Sequence, residues 1–249
     1  MFTGTGLVAF VCIFGASLAG LLLKKNLPKH YLSEATHKIV QLTMSPVGLL
    51  AALVVGLLVT NAKTGLDTSS KEIAQFSTSL RLLDREAVHF GSEAKPLREL
   101  LRAFTEEKIA QTWTETVASQ DHSHSVRMLN EIQDRLRAFA PQDDLSREAR
   151  VSALRLIDDL KQTSRLLALQ KSSHMPRLFL IVVIFWLSVL AFSYAVFAPP
   201  NAAVVVAFAV AAFSIAAAVN LIVDMDHPFS GYIKVSPAPM QEALDQMKP

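Results

Sequence analysis

The chain has 249 residues, 51% of them hydrophobic, with 24 Lys and Arg against 22 Asp and Glu for a formal net charge of +2. That is too apolar for an ordinary soluble domain of this size and too evenly charged for a nucleic-acid binder. The single cysteine, Cys12, excludes disulfide frameworks and cysteine-based metal sites within one chain.

The apolar residues are clustered. Leu7–Leu23 is uncharged, and so is Leu42–Ala62, with Pro46 near its start. Leu178–Phe197 and Ala202–Val223 are two further runs of the same kind. Each has the roughly 17–25 residues that a bilayer-spanning helix needs. The first run has no basic residues before it; Lys24 and Lys25 follow it, and no small-residue cleavage site closes a short core. It therefore reads as a span and not as a cleaved leader, with Cys12 a small apolar residue inside it. The connection to the second span is basic, Lys24 to Lys38, and holds His30 and His37. A metal site there lacks a converging third ligand, so solvation at the interface is the reading. Ser33 is a good N-cap for an amphipathic start, Glu34 to Gln41, of the second helix.

Lys63 to Arg177 is polar, with 18 Lys and Arg against 17 Asp and Glu. Its periodicity is helical throughout. Ser69-Ser70-Lys71-Glu72 fits a capping box, which predicts a helix starting there. Ile73, Phe76, Leu80, Leu83 and Val88 then form one stripe, and Gly91 stops it. Pro96 opens a second helix, striped by Leu97, Leu100, Leu101, Phe104 and Ile109. Val126, Leu129, Ile132, Leu136 and Phe139 mark a third. A fourth, from about Asp144, carries Leu154, Ile157, Leu160, Leu167 and Leu169. These stripes predict the core of a helical bundle. Gln120-Asp121-His122-Ser123-His124 reads as a solvated loop, without the converging partners that a metal site or a catalytic triad requires. No P-loop, GxSxG, HExxH or GxGxxG motif occurs, so the chain reads as a non-enzyme without cofactor or metal.

The fourth span holds the candidate functional face. Ala212, Ala216, Asn220 and Asp224 recur at steps of four and share one side of a helix. In one reading this face packs on a neighbouring helix, Asn220 bonds across it, and Asp224 pairs with a cation such as Lys63. In the other, copies of the face surround a pore with Asp224 or Asp226 as an acidic ring at its mouth, and carboxylate rings select cations. Acidic residues at a helix C-terminus oppose the macrodipole, which gives Asp224 a reason to be functional. Pro228 and Gly231 break the chain after the span, and Asp226 is placed to cap that turn. Met240, Ala243, Leu244 and Met247 form a short amphipathic stripe fit to dock within the protein.

Three blocks of sequence resemble one family. Leu49 to Val59, running on to Ala62-Lys63, is similar to the second span of the bacterial bestrophin-like membrane proteins of unknown function. Leu82-Leu83-Asp84-Arg85, with His89-Phe90-Gly91-Ser92-Glu93-Ala94 and Arg98, resembles that family's LDR…YGxEA…R block, with Phe90 in place of the expected Tyr. Asp226-His227-Pro228-Phe229-Ser230-Gly231, with Val235-Ser236-Pro237 and Met240, resembles its LDxPFxG ending, with Met225 in place of the expected Leu. The resemblance implies a distant likeness to bestrophins, oligomeric ion channels with a helical hydrophilic domain between membrane hairpins. It also implies five subunits and a cytoplasmic domain. The positive-inside rule pulls both ways: Lys24, Lys25, Lys29 and Lys38 draw their connection inward, while Lys63, Lys71, Arg165, Lys171, Arg177 and Lys234 draw the domain side.

The expected fold is therefore all-α. Residues 1–62 form a first transmembrane hairpin, 63–177 a helical extramembrane domain, 178–223 a second hairpin, and 224–249 an acidic turn with an amphipathic tail. The expected function is a homo-oligomeric ion channel or pore in a bacterial inner membrane, with lipid, ions and its own copies as partners. Asp224, Asn220 and Asp226 are the ion-contact candidates. Lys63, Asp84, Arg85, Arg98, Pro228 and Gly231 are structural polar or turn candidates, with Asp84 and Arg85 each seeking a separate partner because adjacent helical residues do not face each other. The alternative is a non-conducting scaffold or sensor acting through the helical domain.

Overall fold

The computed structural model describes residues 4–113, 122–172 and 177–247. Its long elements are all helical: α1 (Gly4–Asn26), α2 (Glu34–Ala87), α3 (Ala94–Trp113), α4 (His122–Ala138), α5 (Asp144–Ser172), α6 (Arg177–Phe197), α7 (Ala202–Met225) and α8 (Ala238–Gln246). No strand occurs among the described residues. Four helices are long and apolar enough to cross a membrane, and they contain the four uncharged runs. The chain divides into two units, Met1–Thr64 with Met175–Asp226, and Gly65–His174 with His227–Pro249.

In the first unit α1 packs on α6 and α7. Small residues make the contact, as expected where lipid is as apolar as leucine and close backbone approach supplies the attraction. Ala9, Ser17, Gly20, Ala212 and Ala216 are buried. A Cβ on Gly20 would lie 2.6 Å from the Phe192 carbonyl oxygen and 2.9 Å from the Ala195 Cβ, so only glycine fits there. Lys24 Nζ donates to the carbonyls of Phe197 (3.3 Å) and Ala198 (2.9 Å) and so caps the negative end of α6. His37 stacks on Phe197 at 4.8 Å. Ser33 caps α2 as expected, its Oγ accepting from the Thr36 N–H at 3.3 Å. Asn201 does the same for α7, its Oδ1 accepting from the Val204 N–H at 2.9 Å.

The second unit is a helical bundle with a conventional core. Phe76, Leu80 and Leu83 of α2 meet Leu97, Leu101 and Phe104 of α3. Leu129, Ile132 and Leu136 of α4 and Ile157 and Leu160 of α5 complete it. The expected stripes thus form one core, with three exceptions: Val88, Val126 and Leu169 are exposed. Each lies near a helix end or a connection, where the apolar stripe runs off the packed surface.

One expected boundary is wrong. No helix begins at Ser69; α2 runs unbroken through it to Ala87. Extending an existing helix adds one hydrogen bond per residue without a new nucleation cost, so a cap sequence inside it is overridden. The stop at Gly91 is real. A 3₁₀ stretch, Val88–Glu93, follows α2, and Gly91 takes φ 56°, ψ −120°, inside it. Asp143 opens α5 with a reciprocal cap: its Oδ1 accepts from the Ser146 N–H at 2.7 Å and its own N–H donates to Ser146 Oγ at 3.3 Å. Hydrogen bonding from the Ser146 side chain, and then from its N–H, favours the charged carboxylate and holds its pKa below the ordinary aspartate value.

The tail docks within the second unit. Met240, Ala243 and Met247 of α8 are buried in its core, and α8 packs on α3. Trp113 Nε1 donates to the Val235 carbonyl at 2.8 Å, and its ring meets Phe229 edge-on at 5.8 Å. Gly231 takes φ 93°, the left-handed turn expected of it. The Pro228 carbonyl accepts from the Val235 N–H at 2.8 Å and closes the loop that carries Phe229 inward.

Candidate functional site

The end of α7 carries the acidic candidates. Ala212, Ala216, Val219 and Ile222 form the buried stripe of this helix, and Asp224 is buried with them at 7% exposure. Asn220 and Asp226 are half-buried. The backbone N–H of Asp226 donates to the Ile222 carbonyl at 3.1 Å and terminates the helix. Three of the four residues of the expected face, Ala212, Ala216 and Asp224, are thus enclosed by the chain itself, and Asn220 is half-buried. Lys63 lies exposed, and among the described residues no ion pair joins it to Asp224.

The second α2 candidates separate as helical geometry requires. Arg98 Nε and Nη2 donate to Asp84 Oδ1 and Oδ2 at 2.7 and 3.1 Å, a bidentate pair with side chains only 29% and 13% exposed. The bond to Asp84 raises the Arg98 pKa above its ordinary value. The Gly91 turn makes this possible by folding α3 back along α2. Arg85, next in sequence, points elsewhere. It lines a groove of about 620 Å³ with Leu82 and Glu86 of α2, His89 of the 3₁₀ stretch that follows, and Leu145, Glu148, Val151 and Arg155 of α5. Ser152 Oγ donates to Glu86 Oε1 at 3.3 Å within it.

A third polar group lies where a loop was expected. Gln120 and Asp121 fall outside the described residues, but His122 begins α4 and His124 sits in its first turn. His124 Nδ1 is 2.6 Å from Glu107 Oε2 of α3. Glu107 Oε1 accepts from Gln111 Nε2 at 2.8 Å, and Gln111 Oε1 accepts from Ser125 Oγ at 3.1 Å. Beside them the buried Lys108 donates to Ser164 Oγ at 2.8 Å. Sequence reasoning missed Lys108, although it continues the Leu97–Leu101–Phe104 stripe at helical spacing, a signal that could have placed it in the core. Buried polar groups persist where their bonds are satisfied, and this cluster ties α3 to α4 and α5. Among the described residues no three His, Cys, Asp or Glu side chains gather as a metal site.

Comparison with known proteins agrees with this architecture. The model of the Bestrophin-like domain family matches residues 11–240. Three solved structures of variants of a bacterial bestrophin homologue from Klebsiella pneumoniae share the fold over nearly the whole length of both chains. The first has TM-score 0.71 and 10% identity, covering 98% of this chain and 99% of that one. The second has TM-score 0.71 and 11% identity, covering 98% of each. The third has TM-score 0.70 and 13% identity, covering 97% of each. No curated protein matches. With four apolar helices of spanning length and a family model covering most of its residues, the chain is a membrane protein and belongs to the Bestrophin-like family.

Proposed function

We propose that the protein is a homo-oligomeric ion channel of a bacterial inner membrane, assembled as a cyclic ring, with the polar helical unit on the cytoplasmic side. One observation carries the assembly. The α2 span is covered by its own chain only along a narrow stripe, Ala51, Leu58 and Ala62. On the opposite side Leu42, Leu49, Leu53 and Leu57 are 72%, 65%, 58% and 62% exposed. A spanning helix so thinly held by its own protomer gains its packing from copies around an axis, and small residues on the other spans suit close approach. The family's likeness to bestrophins supports conduction, and the number of subunits is left open.

Asp224, Asn220 and Asp226 are the ion-contact candidates in this reading, at the end of α7. Copies of Asp224 around an axis would form a carboxylate ring that concentrates cations from the water at the pore mouth, an effect that fades with added salt. Asp226 holds the helix end and the turn. The test is ion flux from liposomes containing the purified protein. Flux in the parent, with lower cation preference in Asp224→Asn and unchanged assembly, is the expected result. Unchanged selectivity in Asp224→Asn removes that residue from the ion path. A folded parent that passes no ion under any gradient leaves the chain as a non-conducting scaffold.

A further inference from the structure

Two contacts fix the order of charges along the groove that Arg85 lines. Ser152 Oγ of α5 donates to Glu86 Oε1 at 3.3 Å, and the Phe139 ring, just ahead of α5, meets Phe90 edge-on at 4.9 Å. Moving along the chain from Glu86 to Phe90 therefore moves the partner back from Ser152 toward Phe139, so the end of α2 and α5 run antiparallel. Arg85, just before Glu86, then lies across from Arg155, about one turn after Ser152. His89, about one turn after Glu86, lies across from Glu148, about one turn before Ser152. One end of the groove thus sets a histidine against a glutamate, and its middle sets Glu86 against a serine hydroxyl. The other end sets two arginines against each other. Neither makes an ion pair or a hydrogen bond among the described residues, although Glu86 adjoins Arg85 in sequence and Asp159 lies one turn beyond Arg155. Leu82 and Val151, 45% and 47% exposed, stand one turn from the two arginines and line the same groove.

We infer that the Arg85–Arg155 end of this groove binds a small organic oxyanion, a carboxylate or phosphate group carried on an apolar body. Two like charges held near each other cost free energy that an anion between them recovers. A guanidinium offers a planar fork of donors that matches two oxygens of a carboxylate or a phosphate, so two forks can grip one group from both sides. Leu82 and Val151 beside them give the apolar part of the ligand a surface that leaves water on contact. A groove of about 620 Å³ lies within the ordinary size of small-molecule sites. An extended polyanion or an anionic bilayer is a poor fit, because Glu86 and Glu148 farther along the groove would repel it. The inference is independent of conduction, since it concerns the polar unit of one chain and needs neither an assembly nor a pore. Arg85, left over when Asp84 takes Arg98, acquires a ligand of its own.

The test is isothermal titration of the full-length protein in nanodiscs of zwitterionic lipid. Three probes are used: phenyl phosphate, phenylacetate and inorganic phosphate. At least one organic probe should bind saturably with a Kd of about 1 mM or tighter, and the tighter of the two names the group the site prefers. Its affinity should exceed that of inorganic phosphate and should fall as salt is added. Arg85→Gln and Arg155→Gln should each weaken binding about tenfold or more. Arg135→Gln, on α4 and paired with Glu131 at 3.0 Å, should leave it unchanged. Both groove arginines are exposed, so their variants should keep the fold, and parental circular dichroism verifies it. Parental affinity in the folded double variant overturns the site. So does a folded parent that shows no saturable binding of either organic probe at about 10 mM. Inorganic phosphate bound as tightly as both organic probes overturns the apolar half of the site.

Discussion

The two units use one secondary structure and opposite packing rules. In the polar unit the largest side chains are inside: Phe76, Phe90, Phe104, Leu80 and Ile157 are almost fully buried. In the membrane unit the interior mixes small residues, Ala9, Ser17, Gly20, Ala51, Ala212 and Ala216, with aliphatic ones such as Ile13, Val183 and Ile222, while the aromatic Phe179, Phe185 and Phe213 point outward. Water explains the first and its absence the second. Burying a large apolar side chain from water stabilises by about 1.5–3 kcal/mol, so water drives bulk inward. Lipid exerts no such force, and close backbone approach and dispersion decide instead. The same amino acid therefore carries different weight in the two units.

Phe104→Ala should cost the most, about 3–5 kcal/mol, because it empties a site in the water-driven core. Phe185→Ala, on the outward side of α6, should cost under about 0.5 kcal/mol in lipid. Thermal unfolding in nanodiscs compares them, and equal losses would break the contrast between the units. Asp84→Ala comes next, at about 1.5–3 kcal/mol, since it strips Arg98 of a charge-assisted partner that is mostly shielded from water. The loss should appear as lower expression and thermal stability; a stable variant lacking only transport would make the pair a functional one. Gly20→Ala should cost about 1–3 kcal/mol by forcing α1 from α6, whereas Gly15→Ala, which meets nothing within 4 Å, should be near neutral. A harmless Gly20→Ala would show that the membrane interior is not close-packed there.

The smallest effect is the Asp143 cap. Its folded pKa is lowered, so its contribution is present above the ordinary aspartate range and is lost as pH falls through the lowered value. Stability in the parent should decline over that acid window, and Asp143→Ala should remove this part of the decline. Parallel pH profiles of parent and variant would assign no role to the cap.

What the sequence made legible follows the same division. The four spans were readable because the bilayer fixes a length, and that demand acts on composition alone. The bundle core was readable because water enforces periodicity at Leu80, Leu101, Ile132 and Ile157. The errors were local motifs read without their surroundings. Ser69 to Glu72 has the form of a cap but lies inside α2, and His124 looks like a loop residue but opens α4 against Glu107. The pairing of Asp84 with Arg98 depends on the Gly91 turn, which places residues fourteen apart side by side, so no helical spacing could reveal it. Within the candidate site, the face of Ala212, Ala216 and Asp224 was legible as a face; whether its own chain covers it is a tertiary fact.

The central claim is conduction by an assembled ring, and recording from single assemblies in a planar bilayer tests it most directly. Purified multimer of a mass fixed beforehand is added under a potassium chloride gradient. The account predicts discrete current steps, reversing on the cation side of zero and moving toward zero in Asp224→Asn. A folded multimer that gives no steps at any voltage or gradient would contradict it.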